Sequence, residues 1–151
     1  MSSGRYLCGQ FEPRGKGRRR FGAFYVALGV IGFGVTGFAG ALTGEQGDAI
    51  LGISINQFHN IVHFGIGALL IVLSLQKNSA AAEGAVMGVG LFYVTAFVIG
   101  VMNSDNLTVI GMRGEGDPAN FFHLLSGVTL LVVGLLATGA TASQAKKRGL
   151  T

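Results

Sequence analysis

Four long apolar stretches follow one another along the chain, each free of charge. The first lies between Arg20 and Glu45, and the second runs from Ala49 to Gln76. The third runs from Gly84 to Ser104 and the fourth from Pro118 to Ala145, closely preceded by Arg113 and Asp117. Each exceeds the roughly 20 residues that a helix needs to cross about 30 Å of hydrocarbon. Backbone amides in lipid must pair within their own segment, and no strand-length alternation suggests a barrel. The pattern predicts helices near residues 21–42, 58–75, 84–102 and 119–140. The expected fold class is all-α, an integral membrane four-helix bundle. A basic arm (1–20) precedes the transmembrane domain (21–145), and a short tail (146–151) follows it.

Composition agrees. Hydrophobic residues make up 50% of the 151 and charged residues 12%, against about 25% charged in soluble domains. That is too little charge to cover a water-facing surface, which excludes a soluble enzyme, a disulfide scaffold and a disordered tail. Every Lys and Arg except Arg113 falls on one side of the expected spans. By the positive-inside rule both termini are expected in the cytoplasm of a multi-pass bacterial plasma-membrane protein. The basic cluster at residues 14–20 abuts a span, so it reads as a topology determinant meeting anionic headgroups rather than a nucleic-acid site. Arg18-Arg19-Arg20-Phe21 and Ala39-Gly40-Ala41 are similar to parts of an export signal, but the apolar stretch between them is too long, and an anchor is expected. Cys8 reads as an inert free thiol. Tyr6, Leu7, Phe11 and Pro13 give the arm something to dock with, which points to a partner beneath the membrane.

An internal echo is visible. Asn60-Ile61-Val62-His63-Phe64-Gly65-Ile66-Gly67 and Asn120-Phe121-Phe122-His123-Leu124-Leu125-Ser126-Gly127 both read N-x-x-H-x-x-x-G. One span earlier, Val35-Thr36-Gly37-Phe38 is matched with Val94-Thr95-Ala96-Phe97. The chain therefore reads as a duplicated helical hairpin whose halves share one orientation about an axis along the membrane normal. Small residues explain how such helices close on one another in lipid. Gly29 and Gly37 on the first helix, Gly67 and Gly127 on the second and fourth, and the small-xxx-small pair Gly84 and Gly88 on the third are the expected packing positions.

Polar residues at membrane depth are costly, so those present should face the interior and pair. Asn56, His59, Asn60, His63, Asn120 and His123 form the expected polar network, with Asn60/His63 and Asn120/His123 facing each other in the outer leaflet. Three functional readings compete with packing. His59 and His63 have the i, i+4 spacing of two metal ligands, but Ala119 stands where a third would follow from the repeat, so no metal site is expected. His63 and His123 are candidate axial ligands of a haem or chlorophyll-type pigment. A proton or ion path is disfavoured because no charged residue lies within the expected spans.

The run Asn56-Gln57-Phe58-His59-Asn60-Ile61-Val62-His63, followed by Gly67, resembles the signature of the bacterial four-helix membrane family DUF4383. Asn120-Phe121-Phe122-His123 with Gly127 is similar to that family's second, shorter motif. The resemblance implies a four-span plasma-membrane protein whose activity is open. Between the spans, Leu51-Gly52-Ile53-Ser54-Ile55 is expected to lie flat at the interface. Arg113 with Glu115 and Asp117 reads as a solvated loop ion pair. With no phosphate loop, Ser–His–Asp set or usable carboxylate pair, an enzyme is not expected. Two functions remain. One is a non-catalytic accessory subunit of a larger bioenergetic or transport complex, or a homo-oligomer, embedded in the lipid bilayer. The other is a small haem-, pigment- or metal-binding protein using His63 and His123.

Overall fold

The computed structural model describes residues 12–38, 49–75, 79–103, 111–147 and 149. The expectations for Cys8 and for the docking residues Tyr6, Leu7 and Phe11 lie outside them. Four helices carry the fold: α1 (Glu12–Thr36), α2 (Gln57–Leu75), α3 (Ser79–Met102) and α4 (Ala119–Lys147). A two-residue antiparallel ladder, β1 (Ala49–Ile50) with β2 (Ile53–Ser54), precedes α2. Its turn places Leu51 and Gly52 at positive φ, the geometry that matches a tight hairpin to strand twist. The segment expected to lie flat at the interface is therefore a small hairpin.

Among the described residues, three helices are long and apolar enough to cross a membrane: Gln57–Leu75, Ala80–Met102 and Ala119–Lys147. Large apolar side chains on these helices point outward, Phe121, Leu136 and Met102 among them. Lipid is the solvent that makes such a surface stable. The first helix departs from the expected 21–42. It begins at Glu12, so Arg18, Arg19 and Arg20 lie inside it, and it ends at Thr36, where Gly37 adopts φ +67°. Glycine takes this left-handed conformation without the Cβ penalty and so closes the helix. The apolar part, residues 21–36, spans roughly 24 Å at 1.5 Å per residue, yet it packs along α2. α3 also starts earlier than the expected residue 84. Glu83 thus falls within the span Ala80–Met102 and is buried, which corrects the expectation that no charge lies inside a span.

The helices form two tight hairpins, α1 with α2 and α3 with α4, while α2 and α3 touch only lightly. Glycine sets the closeness within each hairpin. A Cβ on Gly67 would stand 2.5 Å from the Val26 amide nitrogen and 2.6 Å from the Gly22 carbonyl oxygen. On Gly127 it would stand 2.9 Å from both the Val94 nitrogen and the Gly90 oxygen. Gly29 lies equally close to Asn60 and Phe64. Three other expected packing positions differ: Gly37 is the α1 terminus, and Gly84 and Gly88 face open space. The sequence matching of 35–38 with 94–97 does not pick out the contacting residues either. Between the hairpins the filling is large side chains instead: Tyr25, Leu70, Val86, Val89, Tyr93 and Leu130 form one buried cluster.

One end of the bundle is closed by the β-hairpin and the segment Gly111–Ala119. Asn56 caps α2, its Oδ1 accepting the His59 amide at 2.8 Å. Asp117 caps α4, its Oδ1 accepting the Ala119 amide at 2.9 Å, with Pro118 at the first helical position. Both caps satisfy amides that a helix start otherwise leaves without partners. Gly111, at φ +69°, packs directly on Asn56, so the two caps share one layer.

Candidate functional site

Directly beneath that layer the three histidines converge. His59 and His63 sit one turn apart on α2 with ring centroids 4.6 Å apart and planes inclined by 20°. His123 arrives from α4, its centroid 5.7 Å from that of His59. One ring nitrogen from each lies within 4.8 Å of the other two. Nitrogens sharing one ion at about 2.0–2.1 Å stand roughly 3.3–3.5 Å apart. Closing on one ion requires each nitrogen to move by up to about an ångström and the near-parallel His59 and His63 rings to turn so that their in-plane lone pairs converge. The repeat placed the third-ligand position at Ala119; the bundle supplies it from His123 instead, because α4 crosses opposite both histidines of α2.

Two tyrosines complete the cluster. Tyr25 of α1 stacks on His63 at 5.8 Å and on Tyr93 of α3 at 5.3 Å. Tyr93 lies 5.5 Å from the His123 ring, and its hydroxyl is 3.2 Å from His63 Nδ1. The Tyr25 hydroxyl is hydrogen-bonded to Ser126 and to Tyr93. A polar chain thus runs from His63 through Tyr93 and Tyr25 to Ser126, drawing on all four helices. His59 and His123 are buried, 5% and 6% exposed, and His123 Nδ1 finds no hydrogen-bond partner. A buried polar group left so costs about 1–3 kcal/mol.

The asparagines of the expected network go elsewhere. Asn56 is a helix cap. Asn60 Nδ2 donates to Thr36 Oγ1 at 2.9 Å, within the first hairpin. Asn120 Nδ2 donates to the Gly114 carbonyl at 2.7 Å, in the segment leading into α4. Each presses its amide oxygen on a glycine of the neighbouring helix, Asn60 on Gly32 and Asn120 on Gly100. They hold each hairpin together at the end that the capping layer closes and do not meet across the bundle. Tyr25 and Tyr93 belong to no motif in the sequence. The signal that was present is their offset, which equals that between Gly22 and Gly90 and between Val26 and Val94.

The cluster opens on a cavity of about 290 Å³ lined by Leu28, Ile53, Ile55 and Phe122 beside the histidines and tyrosines. Pockets for drug-sized ligands run to roughly 300–1,000 Å³, and a tetrapyrrole is larger than most of those ligands. His59 and Tyr93 each make ring contact with both His63 and His123, filling the space that a macrocycle between them needs. The geometry fits an ion, not a haem or chlorophyll-type ring. Asp117, in the capping layer, is fully buried. Burial pushes its carboxyl up, but hydrogen bonds from the Ala119 and Arg113 amides and from Ser54 outweigh this and hold it below the usual range. It is no solvated loop acid. Arg113 reaches it through its backbone amide, at 2.9 Å.

Apolar spans, glycine-closed hairpins and a buried polar cluster at one end define a helical membrane protein. The model of the family described as "Domain of unknown function (DUF4383)" matches residues 19–136. The chain belongs to that family. No curated protein and no solved structure matches it.

Proposed function

We propose that the protein is a non-catalytic, membrane-embedded metal-binding protein that holds one transition-metal ion on His59, His63 and His123. The observation that carries this is the convergence of three imidazoles from two helices within 4.8 Å, with His123 Nδ1 buried and lacking a partner. Neutral imidazole suits Zn, Cu, Fe and Ni. The Tyr93 contact fits a supporting role. With His63 carrying its proton on Nδ1, that N–H donates to the Tyr93 oxygen, Tyr93 donates to Tyr25, and Nε2 keeps its lone pair for the ion. Such outer partners fix ring orientation in metal sites. The test is metal content by mass spectrometry after loading metal-stripped, detergent-solubilised protein. About one ion per chain is expected, falling to background in His123→Leu while helical circular dichroism persists. Equal retention by a variant lacking all three histidines overturns the reading.

The same reading places α1 in the membrane beside α2 as a fourth span, with both termini in the cytoplasm and the metal site toward the outer face. In a Cys8→Ser background, a cysteine at Gly116 should label in intact cells and one at Asn78 only after permeabilisation. Reversed labelling removes the orientation, and labelling of both from one side removes the four-span count. The matching contacts of Gly67 with Gly22 and of Gly127 with Gly90 support reading the hairpins as copies of one unit. His59 then breaks that symmetry and turns a pair of histidines into three.

A second reading, an accessory subunit of a larger bioenergetic or transport assembly in the bacterial plasma membrane, is favoured by α3. Its Gly84 and Gly88 meet nothing within 4 Å, leaving a small-residue face of the kind that transmembrane helices use for close approach. Native mass from mild detergent separates a lone bundle from a homo-oligomer or a mixed assembly.

A further inference from the structure

We infer that the ion held is monovalent copper, and that Asp117 supplies its balancing charge without ligating it. The inference rests on the metal-site reading above and concerns which ion the site selects. The three ligands are neutral. Among the described residues the ligating cluster is His59, His63 and His123, with no carboxylate or thiolate in it. The cost of taking an ion from water into an apolar cavity grows with the square of its charge. A divalent ion on three neutral imidazoles, walled by Leu28, Ile53, Ile55 and Phe122, therefore carries about four times the burden of a monovalent one.

Among the described residues, Asp117 is the buried acid of the layer over the cluster. It is fully buried and caps α4, the helix that carries His123, and Ala119, whose amide it holds, lines the same cavity as the three histidines. Its oxygens are engaged, Oδ2 by the Arg113 amide and Oδ1 by the Ala119 amide, each at 2.9 Å. It contributes charge and leaves coordination to the imidazoles. One carboxylate balances a monovalent ion and leaves a divalent one with a net charge. Coordination number points the same way. Three imidazoles complete a coordination set for monovalent copper, whereas zinc needs a fourth ligand, such as a water from the cavity.

The experiment is a set of anaerobic competition titrations on the full chain in detergent, with Cu(I) against bathocuproine disulfonate and, separately, with Zn(II) and Co(II). Cu(I) should bind at one per chain and on the order of a hundredfold more tightly than either divalent ion. Its X-ray absorption should show three nitrogen neighbours. Asp117→Asn keeps a good helix cap while removing the charge, and it should weaken Cu(I) about tenfold. Zn(II) or Co(II) binding as tightly as Cu(I), and lost in His123→Leu, overturns the monovalent assignment and leaves the metal site standing. Unchanged Cu(I) affinity in Asp117→Asn overturns the charge-balance role. No ion held above the level of the variant lacking all three histidines removes the metal site itself. The wild-type comparison of Cu(I) with Zn(II) needs no variant to fold.

Discussion

Gly67→Ala is expected to lower the thermal stability of the bundle in detergent sharply, by about 2–3 kcal/mol, while Gly88→Ala leaves it unchanged or slightly raised. The two residues look alike in sequence, each a glycine within an apolar helix. At Gly67 the new methyl meets backbone, the Val26 nitrogen at 2.5 Å and the Gly22 oxygen at 2.6 Å. No side-chain rotation relieves that, so α1 and α2 must separate along their length. At Gly88 nothing lies within 4 Å, and alanine is the better helix former by about 1 kcal/mol. Gly127→Ala should follow Gly67→Ala because its neighbours are the Gly90 oxygen and Val94 nitrogen at 2.9 Å. Helical circular dichroism against temperature measures all three. Equal midpoints for Gly67→Ala and Gly88→Ala would show that close backbone approach does not hold the hairpin.

That contrast marks where the sequence stops being legible. Hydropathy predicts α2 within a residue, 58–75 against Gln57–Leu75, because span length is set by the thickness of the hydrocarbon. It misplaces α1, because charge marks the edge of an apolar stretch and not the end of a helix. Arg18, Arg19 and Arg20 lie inside the helix. Composition cannot tell an inner glycine from an outer one. Gly67 and Gly88 differ only in what stands opposite, which is a property of two helices at once. The site was half legible for the same reason. His63 and His123 stand out through the N-x-x-H motif, and His59 through its i, i+4 spacing. Their union required knowing that α4 crosses opposite α2. The repeat points to Ala119 for a third ligand, because it relates equivalent positions and the site is not symmetric. Asn60 and Asn120 share the motif with the histidines, yet they face glycines Gly32 and Gly100 within their own hairpins. A motif records a local helix face, and a face can be divided between packing and chemistry.

Asp117→Ala is expected to be the most damaging single change in the capping layer, at a cost of about 2–4 kcal/mol. Loss of an N-cap costs about 1–2 kcal/mol, and the Arg113 amide, whose bond to Oδ2 spans 2.9 Å, adds the penalty of a donor deprived of its acceptor. Asp117→Asn should recover the cap component, since asparagine serves that position equally well. The pH dependence separates charge from shape. The carboxyl is held below its usual range by the Ala119 and Arg113 amides and Ser54, which together overcome the opposing effect of burial. A group whose folded pKa is depressed stabilises the fold above its unfolded value, about 3.9, and that stabilisation is lost as pH falls through the folded pKa. Wild-type stability should therefore decline below about pH 4. Asp117→Asn, with nothing to protonate there, should show a shallower decline, so the two curves converge as the pH drops. Thermal unfolding between neutral and acidic pH measures both curves. Parallel curves would mean that the carboxylate charge plays no part in holding the layer over the histidines, and an Asp117→Ala midpoint equal to wild type would remove the cap as well.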